Sequence, residues 1–225
     1  MTVDATLAAR GLLLDMDSTL VNSEAVVELL WRRWATEHGL AAADVLAVAH
    51  GRQGWATMAE LLPDRPAELN RADNDRMLAE EATIVDGVIP IAGAPEFMAA
   101  LADLPHALVT SANHVLTETR MTAAGLPIPR IRITAESVTV SKPDPEGFLK
   151  AAAELGLSAD DCLVFEDSQA GITAAKAAGM RVIGVGPRAA TLNPTAHVPD
   201  LTHIRIEPLP GGSIAVHIAG LESKD

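Results

Sequence analysis

Two aspartates, Asp15 and Asp17, follow directly on the apolar run Gly11-Leu12-Leu13-Leu14, within the stretch Asp15-Met16-Asp17-Ser18-Thr19. A short apolar run that gives way to polar residues reads as a buried strand ending at a loop. Open α/β sheets place their ligands at the carboxyl ends of strands. At such a tip Asp15 could act as a nucleophile or metal ligand, with Asp17 as an acid or base beside it. The same residues also suit a helix start, with Asp15, Asp17 or Ser18 as the cap. The pair alone does not choose between these readings.

Further polar clusters follow other apolar runs. Thr110-Ser111-Ala112-Asn113 comes after Ala107-Leu108-Val109. Hydroxyls and free backbone N–H groups just before a helix suit a phosphate, so Thr110, Ser111 and Asn113 are candidate phosphate or substrate contacts. A simple turn or helix cap would use the same residue types. In Ser141-Lys142-Pro143-Asp144-Pro145 the prolines restrict the loop, and Lys142 could be aimed inward onto a phosphate and a carboxylate. A solvated lysine is the alternative, although a helix start is a mildly unfavourable place for a cation. Glu166-Asp167-Ser168 follows Cys162-Leu163-Val164-Phe165. Adjacent acids at the end of a buried strand repel unless a cation or solvent stabilises them. Oxygen ligands of this kind suit Mg²⁺. Each cluster could be a cap. Their succession as acid pair, hydroxyls, lysine and acid pair, all at strand ends that a parallel sheet brings to one edge, is harder to assign to capping. Together they supply a nucleophile, a phosphate cradle, a cation and a metal pocket, the parts needed for phosphoryl transfer through an aspartyl-phosphate.

The elements that must position these residues are also visible. Strand-like runs at Leu12–Leu14, Ala107–Val109, Arg130–Thr134, Leu163–Phe165 and Val182–Val185 alternate with helical patterns at Pro95–Leu104, Val115–Ala124, Pro145–Leu155 and Ala170–Ala178. That alternation predicts an α/β fold, a Rossmann-like doubly wound parallel sheet with helices on both faces. Gly125, Gly156 and Gly179 stand where helices should stop. The interval before Ala107 is too long for one crossover. Helical segments over Ser23–His38, Ala43–His50, Trp55–Leu62 and Ala67–Thr83 predict a small inserted α-helical cap that folds over the first strand's tip. Residues 1–22 and 88–225 then form the catalytic core and residues 23–87 the cap. All three tryptophans fall in the cap and suit packing between small helices more than ligand stacking. The segment from Gly186 to Pro210 is expected to hold a short edge strand and loops.

Bulk properties set limits. The 225 residues suit one core domain plus an insertion, and 48% hydrophobic with 21% charged residues is ordinary globular material. A formal charge of -13 disfavours a nucleic-acid partner. It leaves a small phosphorylated metabolite open, because a site can be locally positive or metal-bound. The single cysteine, Cys162, cannot form an internal disulfide and reads as a buried strand residue. No apolar run approaches the roughly 18 residues of a membrane span, and the N-terminal residues do not read as a signal peptide. The expectation is a cytoplasmic protein without a membrane partner, acting as a monomer or homodimer.

With these residues in place, the chain resembles the haloacid dehalogenase-like hydrolase superfamily. The likeness is carried by Asp15-Met16-Asp17-Ser18-Thr19-Leu20-Val21, Val109-Thr110-Ser111, Ser141-Lys142-Pro143-Asp144-Pro145 and Val164-Phe165-Glu166-Asp167-Ser168-Gln169-Ala170-Gly171-Ile172. It is nearest to the sugar-phosphate and glycerol-phosphate phosphatases and the β-phosphoglucomutase relatives. The resemblance implies that Asp15 attacks phosphorus and ligates Mg²⁺. Asp17 protonates the leaving oxygen, then activates water, and offers its backbone carbonyl to the metal. Thr110 and Ser111 hold phosphoryl oxygens, and Lys142 steadies Asp15 and the transferring group. Asp167 ligates Mg²⁺, with Glu166 beside it or acting through water. The segment His50-Gly51-Arg52-Gln53 resembles the substrate-contacting loop of the cap, which makes Arg52 either a substrate anchor or a surface residue. One departure is Ser18, where the family commonly has glycine.

Among activities, Asp17 argues against a dehalogenase, which needs only the first acid. A β-phosphoglucomutase normally carries a histidine near the place of Val27, and no histidine occurs between Asp17 and Trp34. The expectation is therefore a Mg²⁺-dependent phosphatase acting on a small phosphorylated sugar or polyol. The alternatives are a phosphomutase and, from another class, a non-catalytic binding or regulatory module on the same fold.

Overall fold

A computed structural model describes residues 2–222 of the chain. Its centre is a parallel sheet in the order β6-β5-β2-β7-β8-β9. The strands are β2 (Gly11–Leu14), β5 (His106–Val109), β6 (Ile131–Ile133), β7 (Cys162–Glu166), β8 (Arg181–Val185) and β9 (Ala196–Val198). The middle strands are buried on both faces, which is why β2 and β7 read as unbroken apolar runs rather than alternating ones. Successive residues nonetheless serve opposite faces. Leu12 and Leu14 join one core with Phe97, Leu116 and Phe165, while Leu13 joins the other with Val164, Phe148 and Ile172. Helices α5 (Ala94–Ala100) and α6 (His114–Ala123) supply the first face, and α7 (Glu146–Glu154) and α8 (Gln169–Ala177) the second. The short α9 (Gly186–Ala189) follows β8. Cys162 is fully buried in β7, as its apolar neighbours imply.

The chain leaves the core after β2 through a two-stranded ribbon of β3 (Val21–Asn22) and β4 (Ile89–Pro90). Between them lie α1 (Glu24–Glu37), α2 (Ala42–Ala49), α3 (Gly54–Leu61) and α4 (Ala67–Glu81), the helical insertion read from the sequence. Trp31 and Trp34 are buried and pack edge to face at 5.5 Å between centroids. Trp55 differs. It is half-buried and carries the Arg71 guanidinium 4.6 Å above its ring.

One part of the fold was not expected. An antiparallel sheet, β1-β11-β10, joins β1 (Thr2–Ala9), β10 (Ile204–Pro208) and β11 (Ile214–Glu222). Ile214, Val216 and Ile218 alternate inward from β11 and extend the first core. The edge strand expected before Pro210 is β9, but β10 also lies in that segment and pairs with β11. Among the described residues no helix is long and apolar enough to cross a membrane.

The turn that carries Asp15 and Asp17 closes tightly: the Met16 carbonyl accepts hydrogen bonds from the backbone N–H of Leu20 at 2.8 Å and of Val21 at 2.9 Å. Ser18 pays for this turn with a φ of 60°, the left-handed region that glycine enters freely. A side chain there costs roughly 1–2 kcal/mol, against about 0.5–1 kcal/mol for glycine's extra chain entropy. Ser18→Gly should therefore raise stability by about 0.5–1 kcal/mol. Urea unfolding reads this directly, and a lower midpoint for the variant would contradict the strain.

Candidate active site

Three strand ends converge on one ammonium group. Asp15 stands one residue past β2, and its backbone N–H donates to the Phe165 carbonyl at 3.0 Å, which fixes it against β7. Lys142 reaches in from the loop before α7. Its Nζ donates to Asp15 Oδ1 at 2.6 Å, Glu166 Oε1 at 2.8 Å and the Val109 carbonyl at 3.0 Å. These bonds use all three protons of the ammonium. The Phe148 ring lies 5.2 Å away and adds a cation–π contact. Lys142 is thus not the solvated residue that its helix-start position allowed.

Glu166 is fully buried, and both of its oxygens are engaged. Oε2 accepts from the Ser168 backbone N–H at 2.6 Å and from Ser168 Oγ at 2.9 Å, while Oε1 faces Lys142. Ser168 is at once the cap of α8, its Oγ accepting from the Gly171 N–H at 3.0 Å. Helix capping and site chemistry are therefore shared here rather than exclusive.

The side-chain oxygens of Asp15, Glu166 and Asp167 lie within 4.8 Å of one another. Three buried carboxylates face one ammonium. Burial first, and then the Glu166 charge, pushes Asp15 up to about 7 against the pull of Lys142. Burial and the neighbouring Glu166 and Asp15 charges hold the Asp167 carboxyl well above the usual range. Although burial alone would lower it, the two carboxylates keep Lys142 protonated far beyond neutral pH. An all-oxygen set with surplus negative charge fits a hard divalent cation such as Mg²⁺. Both oxygens of Glu166 are engaged, whereas Asp15 gives only Oδ1 to Lys142 and Asp167 only Oδ2 to Arg188, so Asp15 and Asp167 are the carboxylates best fitted to hold it.

Thr110 follows β5, and its Oγ1 accepts from the Ala112 N–H at 3.0 Å, which leaves the hydroxyl proton for an anion. Ser111 Oγ instead donates to the Gly51 carbonyl at 3.0 Å, so this side chain ties the core to the insertion. Asn113 caps α6, with Oδ1 accepting from the Leu116 N–H at 2.8 Å. All three residues border a cavity of about 400 Å³ between the core and α1–α4. The same cavity is bordered by Asp15, Asp17, Asp167, Arg52, Gln53 and Asn74. Arg52 is therefore a cavity residue. Its Nη1 is paired with Glu60, while its buried Nε lacks a partner among the described residues.

Two arginines were not anticipated. Arg120 of α6 is 4% exposed; its Nη1 donates to Asp17 Oδ1 at 2.7 Å and its Nη2 to Glu81 at the end of α4. Arg188 of α9 pairs with Asp167 through Nη1 and with Glu24 of α1 through Nη2 at 2.8 Å. A signal for Arg120 existed: it falls four residues after Leu116, on the buried stripe of its helix. Arg188 sits in a segment whose sequence carried no comparable signal.

The fold and site define a class. The family model described as haloacid dehalogenase-like hydrolase matches residues 9–179, and the chain belongs to that family. Hexitol phosphatase A of Escherichia coli (strain K12) is 35% identical over 214 residues, 92% of this chain and 98% of that protein. β-Phosphoglucomutase of Bacillus subtilis (strain 168) is 58% identical over a short stretch of 45 residues, 20% of each chain. A solved hydrolase from Pseudomonas syringae shares the fold with a TM-score of 0.76 at 21% identity, covering 85% of this chain and 94% of its own.

Gly171 faces Glu166 so closely that a Cβ would lie 1.6 Å from Oε1 and 1.9 Å from the carboxyl carbon. Glu166 cannot retreat without releasing Lys142. Gly171→Ala should lose at least about 2 kcal/mol of stability, read as a lower urea midpoint. A variant that unfolds with wild-type protein would show that Glu166 has room to move.

Proposed function

We propose that this chain is a Mg²⁺-dependent phosphatase that hydrolyses a small phosphorylated sugar or polyol through an aspartyl-phosphate on Asp15. The observation that carries this reading is the buried Asp15–Lys142 contact of 2.6 Å at the wall of a cavity that also meets Asp17. Lys142 engages Oδ1 of Asp15, and among the described residues Oδ2 has no partner, which suits it to attack phosphorus. Held by Asp15 and Asp167, Mg²⁺ would neutralise charge on the phosphoryl oxygens. Thr110 donates to one such oxygen. Asp17 gives its proton to the departing alkoxide, then takes a proton from the water that attacks the phospho-aspartate, which returns Asp15 and releases phosphate. Glu166 aligns Lys142.

Residues 23–87 act as the substrate-selecting cap over a core of residues 1–22 and 88–225. The cavity suits a polyol chain: Gln53, Asn74, Asp75 and Glu81 offer hydrogen-bonding groups among Val27, Trp31 and Met58. A hexitol phosphatase at 35% identity over nearly the whole chain supports the same class. The local identity to a β-phosphoglucomutase favours a second reading, a phosphomutase. Against it, Val27 borders the cavity where that group carries a histidine, so the helix supplies no imidazole there.

In a panel of phosphate monoesters with Mg²⁺, phosphate release should rank hexitol and glycerol phosphates high, stop on adding EDTA, and fall at least about 10³-fold in Asp15→Asn. Turnover that survives metal removal, or an Asp15→Asn enzyme changed only in KM, would overturn the mechanism. Glucose 1-phosphate with a bisphosphate activator separates the two readings: the phosphatase yields free phosphate, the mutase an isomerised sugar phosphate.

A further inference from the structure

We propose that Arg120 is a positioning residue that, clamped between the cap and the core, presents one chosen oxygen of Asp17 to the leaving group. The inference rests on the phosphatase reading of Asp17. Arg120 borders the cavity with only 4% of its surface exposed, and its two terminal nitrogens serve two carboxylates: Nη1 donates to Asp17 Oδ1 at 2.7 Å, and Nη2 engages Glu81. Glu81 is the last residue of α4, just before the chain returns to the core through β4. Ser23, at the other end of the insertion, donates its hydroxyl to the same Oδ1 at 2.9 Å. Two donors from opposite sides thus fix Oδ1. Oδ2 has no partner among the described residues, on a side chain that borders the cavity.

An acid that must deliver a proton can do so from only one oxygen at a time. Donors on Oδ1 leave Oδ2 as the oxygen that carries the proton and meets the alkoxide. The planar fork of arginine suits this task because both nitrogens are fixed by one rigid group. Glu81 holds the far nitrogen, so the guanidinium cannot swing while the insertion stays seated. The Glu81 side chain is itself only 12% exposed, and burial raises its carboxyl against the pull of Arg120.

The test compares an alkyl ester, glycerol 1-phosphate, with an aryl ester, p-nitrophenyl phosphate. The quantity read is kcat/KM, which covers only the steps up to departure of the leaving group. An alkoxide needs its proton; a nitrophenolate barely does. A lost general acid therefore lowers the alkyl-to-aryl ratio, whereas a smaller folded fraction lowers both values equally. Asp17→Asn sets the full fall in that ratio. Arg120→Met combined with Glu81→Gln, which leaves no carboxylate opposite an apolar chain, should lower the ratio about 10- to 100-fold. Arg120→Lys, which keeps a cation but cannot span both carboxylates, should fall between it and wild type. Equal losses on both esters in the Arg120 variants, with a selective loss in Asp17→Asn, overturn this proposal and leave the phosphatase reading intact. Should the double variant fail to fold, the lysine variant decides alone, and a wild-type ratio overturns the proposal. If wild type prefers another alkyl phosphate of the panel, that ester replaces glycerol 1-phosphate; a wild-type enzyme that hydrolyses none of them overturns the phosphatase reading, and this proposal with it.

Discussion

The buried ammonium of Lys142 is the constraint from which the rest of the site follows. A charge removed from water must be paired and fully hydrogen-bonded, or the chain neutralises it. Here the partners come from three strand ends: Asp15 after β2, the Val109 carbonyl at the end of β5 and Glu166 at the end of β7. These are adjacent strands in the sheet. Satisfying one lysine therefore fixes the spacing of the whole carboxyl edge. Removing it would strand two buried carboxylates, at a cost of about 3–5 kcal/mol. Gly171 belongs to the same constraint, since Glu166 can occupy its place only where the facing helix has no side chain.

The lysine balances only part of the charge around it. Asp15, Glu166 and Asp167 outnumber it, and Arg188 of α9 divides its guanidinium between Asp167 and Glu24. The residual negative potential explains why an acidic chain can suit a phosphate ester: a dication seated among these oxygens reverses the local sign without changing the sign of the surface. Overall charge and site charge are separate quantities. The first disfavours nucleic acid as a partner; the second suits a divalent cation and, with it, an anion.

Much of this was legible in the sequence because the central strands are buried on both faces and announce themselves as apolar runs ending in polar clusters. Asp15, Thr110, Lys142 and Glu166-Asp167 could be grouped because a parallel sheet brings strand ends together whatever the loops between them do. The antiparallel sheet was not legible for the opposite reason. The apolar residues of β1 are mostly alanine, with Val3 and Leu7 its only larger aliphatics, and β1 pairs with β11 across nearly the whole chain. Helical spacing places Arg120 on the buried stripe of its helix, but nothing local says what such an arginine pairs with, and Arg188 carries no such signal at all. The partners of Arg120 emerge only in the fold, where Asp17 and Glu81, separated from it by 103 and 39 positions, meet at its two nitrogens. Ser18 is the intermediate case: its departure from glycine was visible, but only the φ of 60° gives that departure a physical cost.

The contacts between insertion and core divide by what they touch. Ser111 with Gly51 and Gln53 with the Ala135 carbonyl at 3.1 Å join the two parts on the side of the phosphate residues. Gly51 has a φ of 76°, and a Cβ there would lie 2.0 Å from Ser168 Oγ, so its backbone approaches the residue that holds Glu166. Arg120 and Ser23 join the two parts on the side of Asp17, and Arg188 does so beside Asp167. Asp17 and Asp167 thus each have a neighbour whose position depends on how the insertion sits, whereas Asp15 and Lys142 are held by the core alone. On the proposed function, substrate selection by the insertion and the geometry of Asp17 are not independent. A ligand that alters the seating of α1–α4 also alters the placement of Asp17, because the same side chains carry both.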